Sequence, residues 1–373
     1  MEKIKISDKV KAEKLNVASQ WQLMRWKFLR HKIAVLSLVL LTLLYISVIF
    51  AGFLSPYDPR GHDYHQKSLP PQLIRFIDST GKFHLRPFIY KAESVLDTET
   101  YMRNIIVDTD VMYPIYFFVK GDPYKFWGLF ETDRHLFGTK ERAMFLFGTD
   151  DMGRDMFSRI LEGGRLSLSV GLVGIAVSFV LGLIIGGISG LFGGKTDMII
   201  QRLIEGVRSM PTIPLWMALS VALPIYWSVV KVYFGIVIIL SLVGWTGLAR
   251  VVRGKVMSIK EEDFVMAARL YGASDGRIIS RHILPSFTSY IIASLTLTVP
   301  GMILGETALS FLGIGLRAPA ISWGVLLMDA QKIKVLSLTP WILMPGLFVI
   351  LAILMFNFIG DGLRDAADPY NSI

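Results

Sequence analysis

Few residues in this chain have the types and spacing of a chemical site, and their surroundings disqualify most of them. His62 and His65 stand in the H-x-x-H spacing of a metal-binding pair. No cysteine and no third ligand accompanies them, so a solvated loop is the better reading. Ser189 to Thr196, SGLFGGKT, comes one residue short of a phosphate-binding loop. Ser189 occupies the first glycine position, and the segment follows a long apolar run where the motif needs a buried parallel strand. A Gly-x-Ser-x-Gly elbow is missing. With no cysteine, the chain has no thiolate chemistry, disulfide or cysteine-ligated zinc. The chain is therefore not read as an enzyme, and no catalytic residue, cofactor or metal is assigned to it. What remains is one ionisable side chain inside an apolar run, Glu306, and one charged segment between apolar runs, Ser258 to Pro285.

That segment, SIKEEDFVMAARLYGASDGRIISRHILP, predicts two short helices joined by a glycine. Ser258 followed three residues later by Glu261 has the form of a capping box, and Glu262 and Asp263 put negative charge at the positive end of a helix dipole. Phe264, Ala267, Ala268 and Tyr271 recur at helical spacing, and Gly272 can take the left-handed conformation that ends a helix. Ser274 starts a second helix, which Pro285 closes at the edge of the next apolar run. This helix–glycine–helix unit faces the aqueous phase.

The elements that must hold such a unit are membrane spans. The 373 residues are 53% hydrophobic and 18% charged, with a mean hydropathy of +0.51, too apolar for an ordinary soluble domain. Six runs are long enough to cross a hydrocarbon core of roughly 30 Å. They are residues 33–54, 166–191, 213–230, 233–250, 287–313 and 339–360. The third is interrupted by Pro211, Pro214 and Pro224 and reads as a broken or tilted span. The first reads as an uncleaved anchor, because its length exceeds that of a secretory signal and Phe53-Leu54-Ser55-Pro56 is a poor cleavage site. Residues 1–32 hold nine Lys or Arg against three acids, and residues 250–285 hold seven against four. Those two surpluses equal the whole formal charge of +9. By the positive-inside rule both segments face the cytoplasm, and six spans put both termini there. The basic balance is thus a topogenic signal, not a nucleic-acid footprint.

Residues 55–147 form an extracytoplasmic insert with turn signals at Pro70-Pro71, Gly81-Lys82 and Gly121-Asp122-Pro123, and strand-favouring stretches at Lys82–Lys91 and Tyr113–Val119. A small β-rich domain is expected, either touching an external receptor or serving as a packing element. Residues 148–165 predict an interfacial amphipathic helix capped by Asp150 or Asp151. Residues 166–360 form a five-helix core with the charged loop at 251–285, and residues 361–373 a cytoplasmic tail.

The charged segment resembles the EAA loop of the membrane subunits of ATP-binding cassette importers, with Ala267, Ala268, Gly272, Leu284 and Pro285 at matching positions. Met266 and His282 depart from the usual Glu and Ile. Both departures, with Ala267-Ala268-Arg269 and the run from Arg281 to Pro285, are similar to the dipeptide and oligopeptide permease branch. GTDDMGRDMFSRILEGGRLSL (148–168), GETALSFLGIGL (305–316) and GDGLRDAADP (360–369) are similar to the same branch. The resemblance covers most of residues 148–369. It implies an all-α polytopic protein of the inner cell membrane with a type I importer permease core. It further implies an ATPase-coupling loop comprising Glu262, Asp263, Ala267, Ala268, Arg269, Gly272, Ala273, Arg281, His282, Leu284 and Pro285. The partners would be a second permease subunit, cytoplasmic ATPases that carry ATP and Mg²⁺, an extracytoplasmic solute-binding protein and the membrane lipid. Peptides are the first-choice cargo and oligosaccharides the second.

Gly182, Gly186 and Gly190 recur every four residues as a small-residue groove for close helix packing. Glu306 should face protein or water, as an interhelical polar contact or on the translocation path. A proton-coupled secondary transporter would concentrate ionisable residues at mid-membrane and show two similar halves. Only Glu306 fits the first condition, and no internal repeat is apparent.

Overall fold

The computed structural model describes residues 19–97, 99 and 103–368. Residues 1–18 of the basic amino-terminal segment, and residues 369–373 with Pro369 of the last motif, lie outside them. Helix α1 (Gln20–Arg30) opens on a reciprocal capping box between Ser19 and Gln22. Five longer helices carry the membrane-spanning character: α2 (Lys32–Ile49), α3 (Met156–Phe192), α6 (Val229–Ile259), α8 (Thr288–Phe311) and α10 (Met344–Ala367). Between them lie α4 (Gly194–Ser209), α5 (Thr212–Val221), α7 (Asp263–Leu270) and α9 (Trp323–Met328).

The core is the pairing of α3 with α6, and glycines decide its geometry. A Cβ at Gly182 would come within 2.8 Å of Leu248, at Gly186 within 2.5 Å of the Ala249 carbonyl, and at Gly190 within 2.7 Å of Val256. Nearer the other end, Ser241 Oγ donates to the Gly174 carbonyl. The contacts advance together along both chains, so α3 and α6 run parallel. The chain must therefore return across the bundle between Phe192 and Val229. α4 and α5 make that return, sixteen and ten residues joined at Met210-Pro211, about 39 Å of helix at 1.5 Å per residue. The third crossing thus starts at Gly194, not at residue 213, and Ala222 to Ser228 is a turn after it. The physical reason is twofold. Pro224 cannot continue α5, while Arg202, Glu205 and Arg208 lower the hydropathy of α4 below that of an ordinary span.

α8 runs antiparallel to α3, with Gly171 against Ile303 and Val299. α10 closes the bundle on α8 and α2, where Gly360 meets Leu297 and Gly362 meets Ala34. α3 is a single helix of 37 residues, so the interfacial helix expected at 148–165 is not a separate element. Its start is also later than expected. Asp155 is the N-cap, accepting from the Ser158 amide at 2.8 Å. Asp150 instead ties the preceding loop, taking the amides of Met152 and Arg154 and the guanidinium groups of Arg154 and Arg159.

The insert is β-rich, as expected. Strands β1 (Arg75–Ile77), β2 (Phe83–Leu96) and β3 (Arg103–Pro114) form one antiparallel sheet in that order, and β4 (Tyr116–Phe126) pairs β5 (Phe130–Gly138) in a separate hairpin. The stretch Tyr113–Val119 straddles the two, broken at Ile115, whose amide bonds the Pro87 carbonyl. Leu69 and Phe145 are buried at its base, and the Leu69 amide and Trp341 Nε1 both bond Thr149, fastening insert to bundle.

Candidate functional site

At the end of the bundle remote from the insert, α6 continues to Ile259, because Val252 and Val256 stay packed against α3. Ser258 is therefore inside that helix, its hydroxyl bonding the Lys255 carbonyl, and makes no capping box. α7 begins at Asp263 with Glu262 in the N-cap position. Its end is a Schellman closure: the Ala273 amide bonds the Ala268 carbonyl and the Gly272 amide the Arg269 carbonyl, both at 3.0 Å. Gly272 has φ +77°, the left-handed conformation only glycine takes without strain.

The faces of α7 are distributed differently from the expected stripe. Val265 and Ala268 are buried, and Val265 joins Ile278, Ile283 and Phe287 in one cluster with Leu191, Leu248, Val252 and Val256. Phe264, Ala267 and Arg269 face outward, and at the tip Leu270 and Tyr271 are 87% and 93% exposed. Arg281 is exposed, while Ala273, His282 and Leu284 are half-buried. The second helix is one turn, Asp275–Arg277, followed by a wide π-turn over Ile278–Ile283. Pro285 does not close it. It sits within the helical turn Leu284–Ser286 that leads to α8, and its missing N–H suits the wide turn before it. The unit is a rigid base, continuous with α6 and α8, carrying an uncovered apolar tip.

A second site was hidden from sequence reasoning by its own charge. Asp197 at the start of α4 is chelated by Arg253 of α6 and by Ser189 Oγ at 2.5 Å; the residues of the near-miss phosphate loop are thus a helix junction. Higher up, Trp216 of α5 packs on Gly305 beside Leu240. Arg202, Glu205 and Arg208 lie between these two levels. On α6 the levels are thirteen residues apart, about 20 Å, less than the roughly 30 Å of a hydrocarbon core. All three are exposed, and Arg202 pairs with Glu205 at 2.9 Å. Charged groups inside a hydrocarbon core are tolerable only against protein or water. Beyond them, a cleft of about 300 Å³ opens at the insert end, lined by Leu223, Trp227, Val232 and Arg317.

Glu306 is elsewhere, with no exposed surface. Ser167 of α3 donates to one of its oxygens at 3.1 Å and Ser310 to the other at 2.9 Å. The hydroxyls are themselves fixed, Ser167 accepting from the Trp323 amide and Ser310 from the Leu316 amide, both at 3.0 Å. This is an interhelical polar contact that joins α3, α8 and the start of α9. His62 stacks on Tyr64 and the His65 amide bonds Asp63; among the described residues no three His, Asp or Glu side chains gather as a metal site.

Comparison with known proteins fits this arrangement. Residues 179–371 match the family described as binding-protein-dependent transport system inner membrane component. Residues 19–71 match the amino-terminal transmembrane domain of oligopeptide transport permease C. Over 224 residues the chain is 39% identical to the oligopeptide transport system permease protein OppC of Bacillus subtilis, covering 60% of this chain and 71% of the relative. It is 43% identical to OppC of Haemophilus influenzae over 60% and 70% of the two chains. Against the dipeptide permease DppC of B. subtilis the figures are 41%, 60% and 68%. A chain of the MetNI methionine ABC transporter superposes with a TM-score of 0.44 at 17% identity, over 57% of this chain and 98% of that one. With its bundle of membrane-spanning helices, its helix–glycine–helix unit and a family match across more than half of its length, the chain belongs to the binding-protein-dependent transport system inner membrane components.

Proposed function

We propose that this chain is a permease subunit of an ATP-binding cassette importer, and that with a second permease subunit it forms the path along which peptides enter the cell. The observation that carries this reading is the tip of α7: two large apolar side chains, Leu270 and Tyr271, uncovered on a base packed into α3, α6 and α8. An uncovered apolar knob on a rigid mount is what a separate ATPase would grip. ATP and Mg²⁺ would bind to that ATPase, and its closure would move α6 and α8 directly because neither is linked to α7 by a flexible tether. The α7 end is then cytoplasmic, in keeping with the basic surplus of residues 250–285, and the insert faces a solute-binding protein outside. The exposed Arg202, Glu205 and Arg208 line the aqueous path and supply charges of both signs for a zwitterionic cargo. The names of the relatives, which concern oligopeptides and dipeptides, support peptide as that cargo.

The test is a pair of substitutions at positions of similar exposure. Leu270→Glu and Tyr271→Glu should leave the amount of membrane protein unchanged, yet abolish ATP-driven uptake and co-purification of the ATPase. Leu85→Glu in the insert, at 92% exposure, should leave ATPase co-purification intact. Undiminished co-purification in both α7 variants would overturn the importer reading. Uptake of labelled oligosaccharide but not of labelled peptide would overturn only the cargo.

A further inference from the structure

The β4–β5 hairpin presents an aromatic surface that the rest of the insert does not cover. Phe117, Phe118, Trp127 and Phe130 are exposed, and Leu129 at the turn is 78% exposed. Its position is fixed by the end of the first span. Tyr124 lies against Gly52, Phe126 and Trp127 pack on Phe50 with ring centroids 5.8 Å apart, and Trp127 Nε1 donates to the Ile49 carbonyl at 3.2 Å. As the chain advances from residue 124 to 127, its partner on the span steps back from 52 to 49. The hairpin therefore points along α2 toward the middle of that helix.

The level it reaches can be read from α3. Arg165 donates to the carbonyls of Val48 and Ile49, at 3.0 and 3.3 Å, and pairs with Glu162 at 2.9 Å. From Leu166 onward α3 carries no Asp, Glu, Lys or Arg as far as Phe192, so this charged pair marks the edge of its apolar part. Trp127 bonds a carbonyl at the same edge, the depth at which tryptophans gather in membrane proteins. Leu43, Ile46 and Ile49 of α2 are exposed as one stripe, and the turn continues that lipid-facing surface. Trp127 also holds a φ of +50°, beside Gly128 at +74°. A bulky residue in the left-handed region is uncommon, and such backbone cost collects where a side chain must be aimed.

We infer that the β4–β5 hairpin is seated in the bilayer interface at the insert end, with Trp127, Leu129 and Phe130 among the lipid headgroups and upper acyl chains. Lys120, Lys125 and Arg134 are matched in number by Asp122, Glu131 and Asp133, so the seat is apolar and independent of acidic lipid. The hairpin would hold the insert at a fixed tilt above the bundle.

The absence of cysteine allows a direct test on the full chain in nanodiscs. Leu129→Cys and, as an aqueous reference, Ser79→Cys are each labelled with the fluorophore NBD. They are then quenched either by iodide or by phosphatidylcholine bearing a nitroxide near the headgroup. The Leu129 label should be quenched by the nitroxide lipid and be about threefold less sensitive to iodide than the Ser79 label. The result should be the same in zwitterionic and in anionic bilayers. Equal iodide quenching at both positions would overturn the proposal, as would protection of Leu129 from both quenchers, which would place another protein against the hairpin. Failure would leave the α7 test untouched, since the two regions share no residue.

Discussion

Two glutamates lie within the membrane-crossing part of this protein, and they are held in opposite ways. Glu306 is sealed between α3 and α8 with a hydroxyl on each carboxylate oxygen. Glu205 is exposed on α4 and, among the described residues, pairs with its neighbour Arg202. The first carboxylate accepts a hydroxyl of this chain on each oxygen and has no exposed surface, so its contacts lie within the fold. The second retains lone pairs that this chain does not occupy, so it can be used by something that is not this chain. The same contrast extends to the helices that carry them. α3, α6 and α8 interlock through glycines, whereas α4 touches α6 chiefly at its foot, through Asp197 and Arg253.

The sharpest way to break the comparison is with glycines. Gly186→Leu would drive a side chain into the Ala249 carbonyl, which cannot yield as a flexible side chain would. It should cost about 3 kcal/mol or more and leave little folded protein in the membrane, seen by fluorescence-detected gel filtration. At Gly206 of α4 a Cβ would meet nothing within 4 Å, so Gly206→Ala should be neutral or stabilising, by up to about 1 kcal/mol from helix propensity. If both behave alike, α4 is packed in the resting protein and the contrast fails.

A smaller effect separates the glutamates themselves. Glu306→Ala strands the hydroxyls of Ser167 and Ser310 in the core and should lower stability by about 2 kcal/mol, with Glu306→Gln retaining part of it. Glu205→Gln and Arg202→Gln should change stability by less than about 0.5 kcal/mol in thermal unfolding. Peptide uptake in those variants should nonetheless fall several-fold. Normal transport in both would remove α4 from the path.

The smallest expected change is a slope with pH. Asp155 caps α3 with no exposed surface, and burial pushes its carboxyl up to about 6. The unfolded carboxyl titrates near 4, so the folded state binds this proton more tightly. The cost of burying the charge is therefore full above pH 6 and is relieved as pH falls toward 4. Asp155→Asn, which keeps a capping oxygen, should flatten that part of the stability profile and slightly raise thermal stability at pH 7.

What could be read from the sequence followed the physics of each signal. Gly272 was legible because a glycine after an apolar helical stripe has few other uses, and its φ of +77° agrees. The glycine groove was legible for the same reason. Ser258 misled because a capping box is a local pattern, while the packing of Val256 against Gly190 carries α6 past it. The break between an interfacial helix and the second span was inferred from polarity, but backbone hydrogen bonds do not stop where side chains change character, and α3 passes through. The third crossing was displaced because hydropathy assumes that a span faces lipid. α4 exposes Arg202, Glu205 and Arg208 beside its apolar residues, and it is the parallel run of α3 and α6 that reveals that the chain must cross there. The open side of α7, as opposed to its packed side, was not legible because Val265 and Phe264 are equally apolar.

The length of α3 has a mechanical consequence. Its 37 residues form a rod of about 55 Å, pinned at one end by the ion cluster of Asp150 with Arg154 and Arg159, and bound at the other to the base of α7. Such a rod is a lever. A tilt of about 5° around the pinned end sweeps the far end through about 5 Å, comparable to one helical turn. Because Gly182, Gly186 and Gly190 bring the backbones of α3 and α6 too close to slide independently, the two must swing as one beam. A small displacement at the α7 tip is then not absorbed locally, but reaches the pivot beneath the insert as a change in the tilt of the whole beam.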